Sequence, residues 1–309
     1  MNILITGGLG NLGLWITKLF LEKGFNVSVL GRTERIVIKH DSYTFIKVDI
    51  TDKTALFCKI NRYYDICIHT ASINEHFSID YDINSLLINS LGTDNLCESL
   101  LKNGVGNFIY LSTFHVYGAS EGKVTEDTLI NPVSNYGLTH FFAEKYIEKH
   151  HKVSNLNYCI LRLTNSYGCP KDINTDKWYL VLNDLCRQAF ENKKIILLGN
   201  GGNLRDFIWM GDVCKIIHKI TLHKDSLNDI YNLSSSMTYS VKDLAKFVQR
   251  EYFLKYHKTI EIEYNIEDKN VYLPISVSNQ KIKEIFNFSI NDNIGNEASD
   301  IFVLLESVS

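Results

Sequence analysis

No sign of charge dominates this chain of 309 residues: 32 Lys and Arg stand against 35 Asp and Glu, a net of −3. Nothing at the level of composition therefore draws it to nucleic acid or to an anionic membrane surface. No stretch approaches the ~18 apolar residues of a membrane-spanning helix. No basic region precedes the short apolar run 3–6, which leads at once into glycines, so no secretory leader is expected. No CxxC pair occurs among the seven cysteines (Cys58, Cys67, Cys97, Cys159, Cys169, Cys186 and Cys214), and most lie in apolar surroundings. They are expected as reduced core thiols of a cytoplasmic protein, with no metal site among them. Internal repeats, low-complexity tracts and long linkers are also missing.

What is present is an ordinary globular composition, 45% hydrophobic and 22% charged, over a length that allows one large core or two unequal domains. Short apolar runs at 2–6, 26–30, 44–49, 65–71, 107–113 and 157–164 read as strands. Helical periodicity separates them at 11–23, 52–61, 82–102 and 135–152. Such alternation predicts an α/β fold: a doubly wound parallel sheet with helices on both faces. After residue 165 the rhythm loosens. Helices are expected near 177–192, 211–223, 240–252 and 278–286, with a strand at 259–264. The expected organisation is a dinucleotide-binding domain over 1–165, with 205–235 returning to it. A smaller interleaved substrate lobe would take 166–204 and 236–309.

Between the first strand and the first helix runs "TGGLGNLG", which sets Gly7, Gly8, Gly10 and Gly13 in a turn. A turn of this kind lets the backbone approach a pyrophosphate, and the helix N-terminus then faces it with free N–H groups. The second strand ends "VLGRTE", with no carboxylate to receive an adenosine ribose and with Arg32 in place. That favours a 2′-phosphate, hence NADP, with NAD possible. Asp49 and Ile50 close the third strand, where a carboxylate can meet the adenine; Asp52 reads as a helix cap.

Seven motifs in order make the chain resemble the extended short-chain dehydrogenase/reductase family, whose members mostly act on nucleotide sugars. They are "TGGLGNLG" (6–13), "IHTAS" (68–72), "NSLGTDNLCESL" (89–100), "YLSTFHVYG" (110–118), "YGLTH" (136–140), "LRLTNSYGCP" (161–170) and "GNLRDFIWMGDV" (202–213). The resemblance implies a cofactor site formed by Gly7, Gly10, Asn11, Leu12, Gly13, Arg32, Asp49, Ile50, Thr70, Ala71, Ser72, Asn89, Tyr136 and His140. It implies Tyr136 as the acid/base, its phenol ordinarily near pKa ~10, with Thr113 holding the reacting oxygen. Where the family has Lys four positions after the Tyr, this chain has His140. An imidazole there still reaches the cofactor ribose from one helical turn away, but is fully charged only below roughly pH 6.5.

The Asp-Glu pair of the family's dehydratases is replaced by Phe114 and His115, so dehydration ranks low and His115 becomes a candidate acid/base. Asn165 and Arg205 match residues that contact the substrate diphosphate, a task suited to Arg's planar donor fork. Asp206 and Asp212 read as structural, Lys171 as a solvated loop residue, and Leu273 stands where the family often has a further Arg. The first expectation is NADPH-dependent reduction of a nucleotide-linked 4-keto hexose. The alternatives are a nucleotide-sugar 4-epimerase with tightly bound NAD, and a non-catalytic cofactor-sensing or scaffold protein. A homodimer through the helices near 85–102 and 135–152 is implied as well.

Overall fold

The computed structural model describes residues 1–74, 83–223, 227–265 and 267–308. Seven parallel strands form the central sheet in the order Asp229–Leu233, Tyr158–Leu163, Val105–Thr113, Tyr64–His69, Asn2–Thr6, Asn26–Gly31, Tyr43–Lys47. Alternate residues point to opposite faces of each strand, and both faces are buried. Ile3, Ile5, Val27, Val29, Ile66 and Ile68 join one apolar cluster. Leu4, Leu30, Cys67, Phe108 and Tyr110 join the other. Runs that are apolar throughout, without alternation, follow from this double burial. The strand order reverses between Asn2–Thr6 and Tyr64–His69. Ligands of doubly wound sheets bind at such a reversal, outside the strands' carboxyl ends.

The third strand stops two residues short of the expected end. Asp49 Oδ1 accepts the N–H and hydroxyl of Thr51 at 2.9 and 2.8 Å, which turns the chain. Asp52 then caps the helix Lys53–Lys59, accepting from Ala55 N. Six cysteines are buried, Cys58 is exposed, and all are free.

A second lobe packs its own core of Leu182, Leu185, Phe207, Leu244, Val248, Ile301 and Phe302. Its helices are Val181–Asn192, Val241–Tyr256 and Ile294–Glu306, the last not anticipated from the sequence. Three-residue strands form small sheets apart from the central one, Asn165–Tyr167 and Thr238–Ser240 flanking Leu204–Trp209, and Gly122–Val124 pairing with Ile275–Val277. They are too short to show a period. The helix Gln280–Phe286 puts Ile282 and Phe286 into the central sheet's cluster rather than the lobe's. Among the described residues no helix is long and apolar enough to cross a membrane.

Candidate active site

The strand Val105–Thr113 ends beside the start of the helix Asn135–Ser154, whose N-cap Ser134 accepts the Gly137 N–H at 3.1 Å. A Cβ on Gly137 would lie 2.5 Å from the His115 carbonyl oxygen. Only glycine lets the helix come this close to the turn Phe114–Tyr117, and this approach brings Tyr136 to Thr113. Thr113 Oγ1 accepts the His115 N–H at 3.2 Å, which leaves its own proton to donate to the Tyr136 hydroxyl. Burial pushes the Tyr136 phenol up to about 12, and the Thr113 hydrogen bond pulls the other way. The His115 ring stands edge-on to Tyr136, centroids 5.9 Å apart.

His140 is 1% exposed, its ring 4.5 Å from that of Tyr136 and its Nδ1 2.6 Å from the Tyr110 hydroxyl. One turn further along the same face, Glu144 receives Ser112 Oγ at 2.6 Å and Arg162 through two nitrogens at 3.0 and 2.7 Å. Arg162 also donates to Tyr117 Oη, which donates to Asn232 Oδ1. Sequence reasoning missed Tyr110, Glu144 and Arg162. The only signal in the helix was the spacing 136, 140, 144, which a solvated face shows equally.

At the strand reversal, Gly7 has φ +66°, and a Cβ on Gly13 would sit 2.1 Å from the Gly7 carbonyl oxygen. This is a cradle that only glycines can form, and it fits a pyrophosphate against the helix Asn11–Glu22. Asn11 Oδ1 is buried there without a hydrogen-bond partner among the described residues, and Leu12 is partly buried. Thr70 Oγ1 donates to Thr6 O, Ala71 N donates to Thr6 Oγ1, and Ser72 is exposed. Arg32 is exposed at the end of the second strand, while Ile50 is buried against Gly92. Asn89 lies in a π-helical turn, Leu86–Leu91, and braces the backbone of Ile73 in both directions.

A cavity of about 640 Å³ opens in front of Thr113, His115 and Tyr136 and extends to Asn165 and Arg205. Arg205 is the only Lys, Arg, Asp or Glu among its described lining residues. Burial lowers the Arg205 guanidinium pKa from its usual value, Tyr272 opposing. Asn165 donates to Asp206 O at 3.0 Å. Asp206 receives Thr164 and Ser235, and Asp212 receives Asn291, so both acids are structural as expected. Leu273 is exposed.

A loop from the second lobe packs beside the glycine turn. Trp15 Nε1 donates to Cys169 O at 3.1 Å, Lys171 Nζ lies 3.8 Å above the Trp15 ring, and Arg35 pairs with Asp172 at 2.7 Å. Arg35 also donates to Leu9 O inside the turn. Lys171 is thus a ring contact in this clasp and lines no part of the cavity. Elsewhere Asp94, Glu98 and His150 converge, but Lys149 and Lys53 already neutralise the two acids.

A reversed strand order beside such a turn defines the class, a dinucleotide-dependent α/β enzyme. The model of the NAD dependent epimerase/dehydratase family matches residues 3–234, and the chain belongs to that family of nucleotide-sugar enzymes. It is 31% identical over 258 residues to a Methanocaldococcus jannaschii protein provisionally named a UDP-glucose 4-epimerase, covering 81% of this chain and 82% of that one. It is 28% identical over 246 residues to the GDP-6-deoxy-D-talose 4-dehydrogenase of Aggregatibacter actinomycetemcomitans, covering 78% and 76%. The solved UDP-N-acetylglucosamine 4-epimerase of Methanobrevibacter ruminantium shares the fold, with a TM-score of 0.85 at 20% identity, covering 100% and 99%.

Proposed function

We propose that the protein is a nucleotide-sugar 4-epimerase that keeps NAD bound between turnovers. The observation that carries this reading is the clasp. A 4-epimerase regenerates its cofactor and has no need to release it, and the contacts of Trp15 and Arg35 with 169–172 fasten the second lobe to the flank of the turn that would hold the pyrophosphate. Gly7, Gly10, Asn11, Leu12 and Gly13 would hold that pyrophosphate. Arg32, Asp49 and Ile50 would border the adenosine. Thr70, Ala71, Ser72, Asn89, Tyr136 and His140 would border the nicotinamide half. Hydride acceptance and return is the chemistry NAD supplies when bound.

The chain's own part is proton transfer and orientation. Tyr136 Oη takes the proton of the sugar C4 hydroxyl and later returns it, and Thr113 Oγ1 orients both oxygens. Arg205 and Asn165 grip the diphosphate, with His115 beside the ring as a second titratable group. Among the described lining residues Arg205 is the only full charge. It is used by the diphosphate, which favours a neutral hexose such as the glucose in the name of the Methanocaldococcus relative.

NADPH-dependent reduction of a 4-keto hexose is the second reading, favoured by exposed Arg32. One experiment separates them: denature the purified protein, identify the released dinucleotide, and give native protein UDP-glucose. Stoichiometric NAD and the C4 epimer, with no NADPH consumed, are expected. Protein free of cofactor that consumes NADPH with a 4-keto sugar nucleotide would install the reductase. Bound cofactor with no turnover on any nucleotide sugar would leave the scaffold reading.

A homodimer through the two long helices accords with Leu87, Leu91 and Phe142, which stand exposed on them. A sedimentation mass of one chain would remove this proposal.

A further inference from the structure

His140 stands where the resemblance puts a lysine, and its Nδ1 is engaged from behind. The partner is the hydroxyl of Tyr110 at 2.6 Å, on the strand Val105–Thr113 and 2% exposed. The two rings lie 5.8 Å apart and within 26° of parallel, so the contact is held by stacking as well. Burial, with the charge of Glu144 adding to it, raises the Tyr110 phenol well above its usual range, so it keeps its proton. The buried phenol gives its proton to its one acceptor among the described residues, and an Nδ1 that receives it carries no proton of its own. The imidazole proton then sits on Nε2.

We propose that Tyr110 is a positioning residue that locks His140 as the neutral Nε2–H tautomer, so that His140 meets the cofactor ribose as an uncharged donor and not as a cation. The cofactor half of this statement rests on the reading under Proposed function; the tautomer does not.

The same logic is already built on the near side of Tyr110. His69 stacks on it at 5.4 Å. The Thr6 hydroxyl lies 2.5 Å from His69 Nδ1 and donates to it, because the neutral ring gives its one proton to Thr93. Thr93 spends its proton on Asn89 O, so its oxygen accepts from His69 Nε2–H at 2.9 Å. Burial lowers the His69 pKa to about 3. Two neutral imidazoles of one tautomer thus share Tyr110. A charged His140 would turn its Nδ1–H on the Tyr110 oxygen and expel the phenol proton from the one hydrogen bond it makes among the described residues. The other titratable groups around this pair are Tyr136 and Glu144 on the helix and Cys97 near Tyr110. Glu144 is held by Arg162 and Ser112, which removes it as a counterion for His140.

The test is the ¹⁵N spectrum of histidine-labelled protein, the His140 signals identified by their loss in His140→Gln. In the wild type, Nδ1 is expected as the unprotonated, accepting nitrogen, unchanged between about pH 6 and 9. In Tyr110→Phe the signals should move to mixed tautomers or titrate in that range. NAD should then bind about fivefold more weakly, the effect of one misplaced hydrogen bond. A protonated Nδ1 in the wild type, or a tautomer unmoved in Tyr110→Phe, overturns the proposal. A shifted tautomer with unchanged NAD affinity overturns its cofactor half. The wild-type spectrum decides the tautomer by itself, without substrate or turnover, even if Tyr110→Phe fails to fold or no epimerase activity is found.

Discussion

Tyr136 carries its proton throughout the neutral range, because burial raises its phenol to about 12. To accept a proton from a sugar hydroxyl it must first lose its own. The phenolate fraction rises about tenfold per pH unit below the pKa, so epimerisation should climb with pH through the neutral region. His140→Lys would place a cation one turn away. An opposite charge at that range lowers a pKa by ~1–3 units. The rising limb should therefore move to lower pH by that amount and the rate at neutral pH increase about tenfold or more, read from initial rates against pH. A limb displaced to higher pH would remove Tyr136 as proton acceptor. Thr113 and Tyr136 were legible because strand end and helix start carry recognisable neighbours on both sides. Tyr110 was not: it meets His140 across thirty residues, and a strand tyrosine in an apolar run announces nothing but core.

The helix Asn135–Ser154 was legible as an element, but its inward face was not. "FFAEKYIEKHHK" mixes charge and apolar residues so evenly that Glu144 reads as solvated, yet Glu144 is 0% exposed. It fastens the helix to the strand Tyr158–Leu163 through Arg162, and so fixes where Tyr136 stands. Replacing Arg162 with Met leaves a buried carboxylate unpaired, which costs ~3–5 kcal/mol. Urea unfolding should show the midpoint falling accordingly. Arg162→Met with Glu144→Gln should recover part of the loss, since the stranded charge is then gone. If the single variant is as stable as the parent, the pair does not anchor the helix. The short strands of the second lobe escaped the sequence for another reason: three residues pair by tertiary placement, not by a pattern of their own.

At the scale of the molecule, the alternation of strands and helices revealed the doubly wound sheet and a loosened C-terminal part. How the two parts lock together was hidden. Ile282 and Phe286 return late in the chain to the sheet's core, and Lys171, which reads as a solvated loop residue, and its neighbour Asp172 reach Trp15 and Arg35 beside the glycine turn. The Arg35 side chain is 33% exposed and that of Asp172 7%, so their pair is a partly screened link between the lobes. Such a pair contributes roughly 1 kcal/mol or less to folding. Its effect on cofactor escape is separable from that, because opening the clasp is the step that frees the turn. Arg35→Ala should leave the melting temperature nearly unchanged and turnover in excess NAD intact. It should also release bound NAD up to about fivefold faster, as the loss of ~1 kcal/mol from the closed state implies. Rapid gel filtration followed by assay of the retained dinucleotide measures this directly. Retention equal to the parent's would show that the clasp does not hold the cofactor, and would take from the epimerase reading the feature that separates it from a reductase.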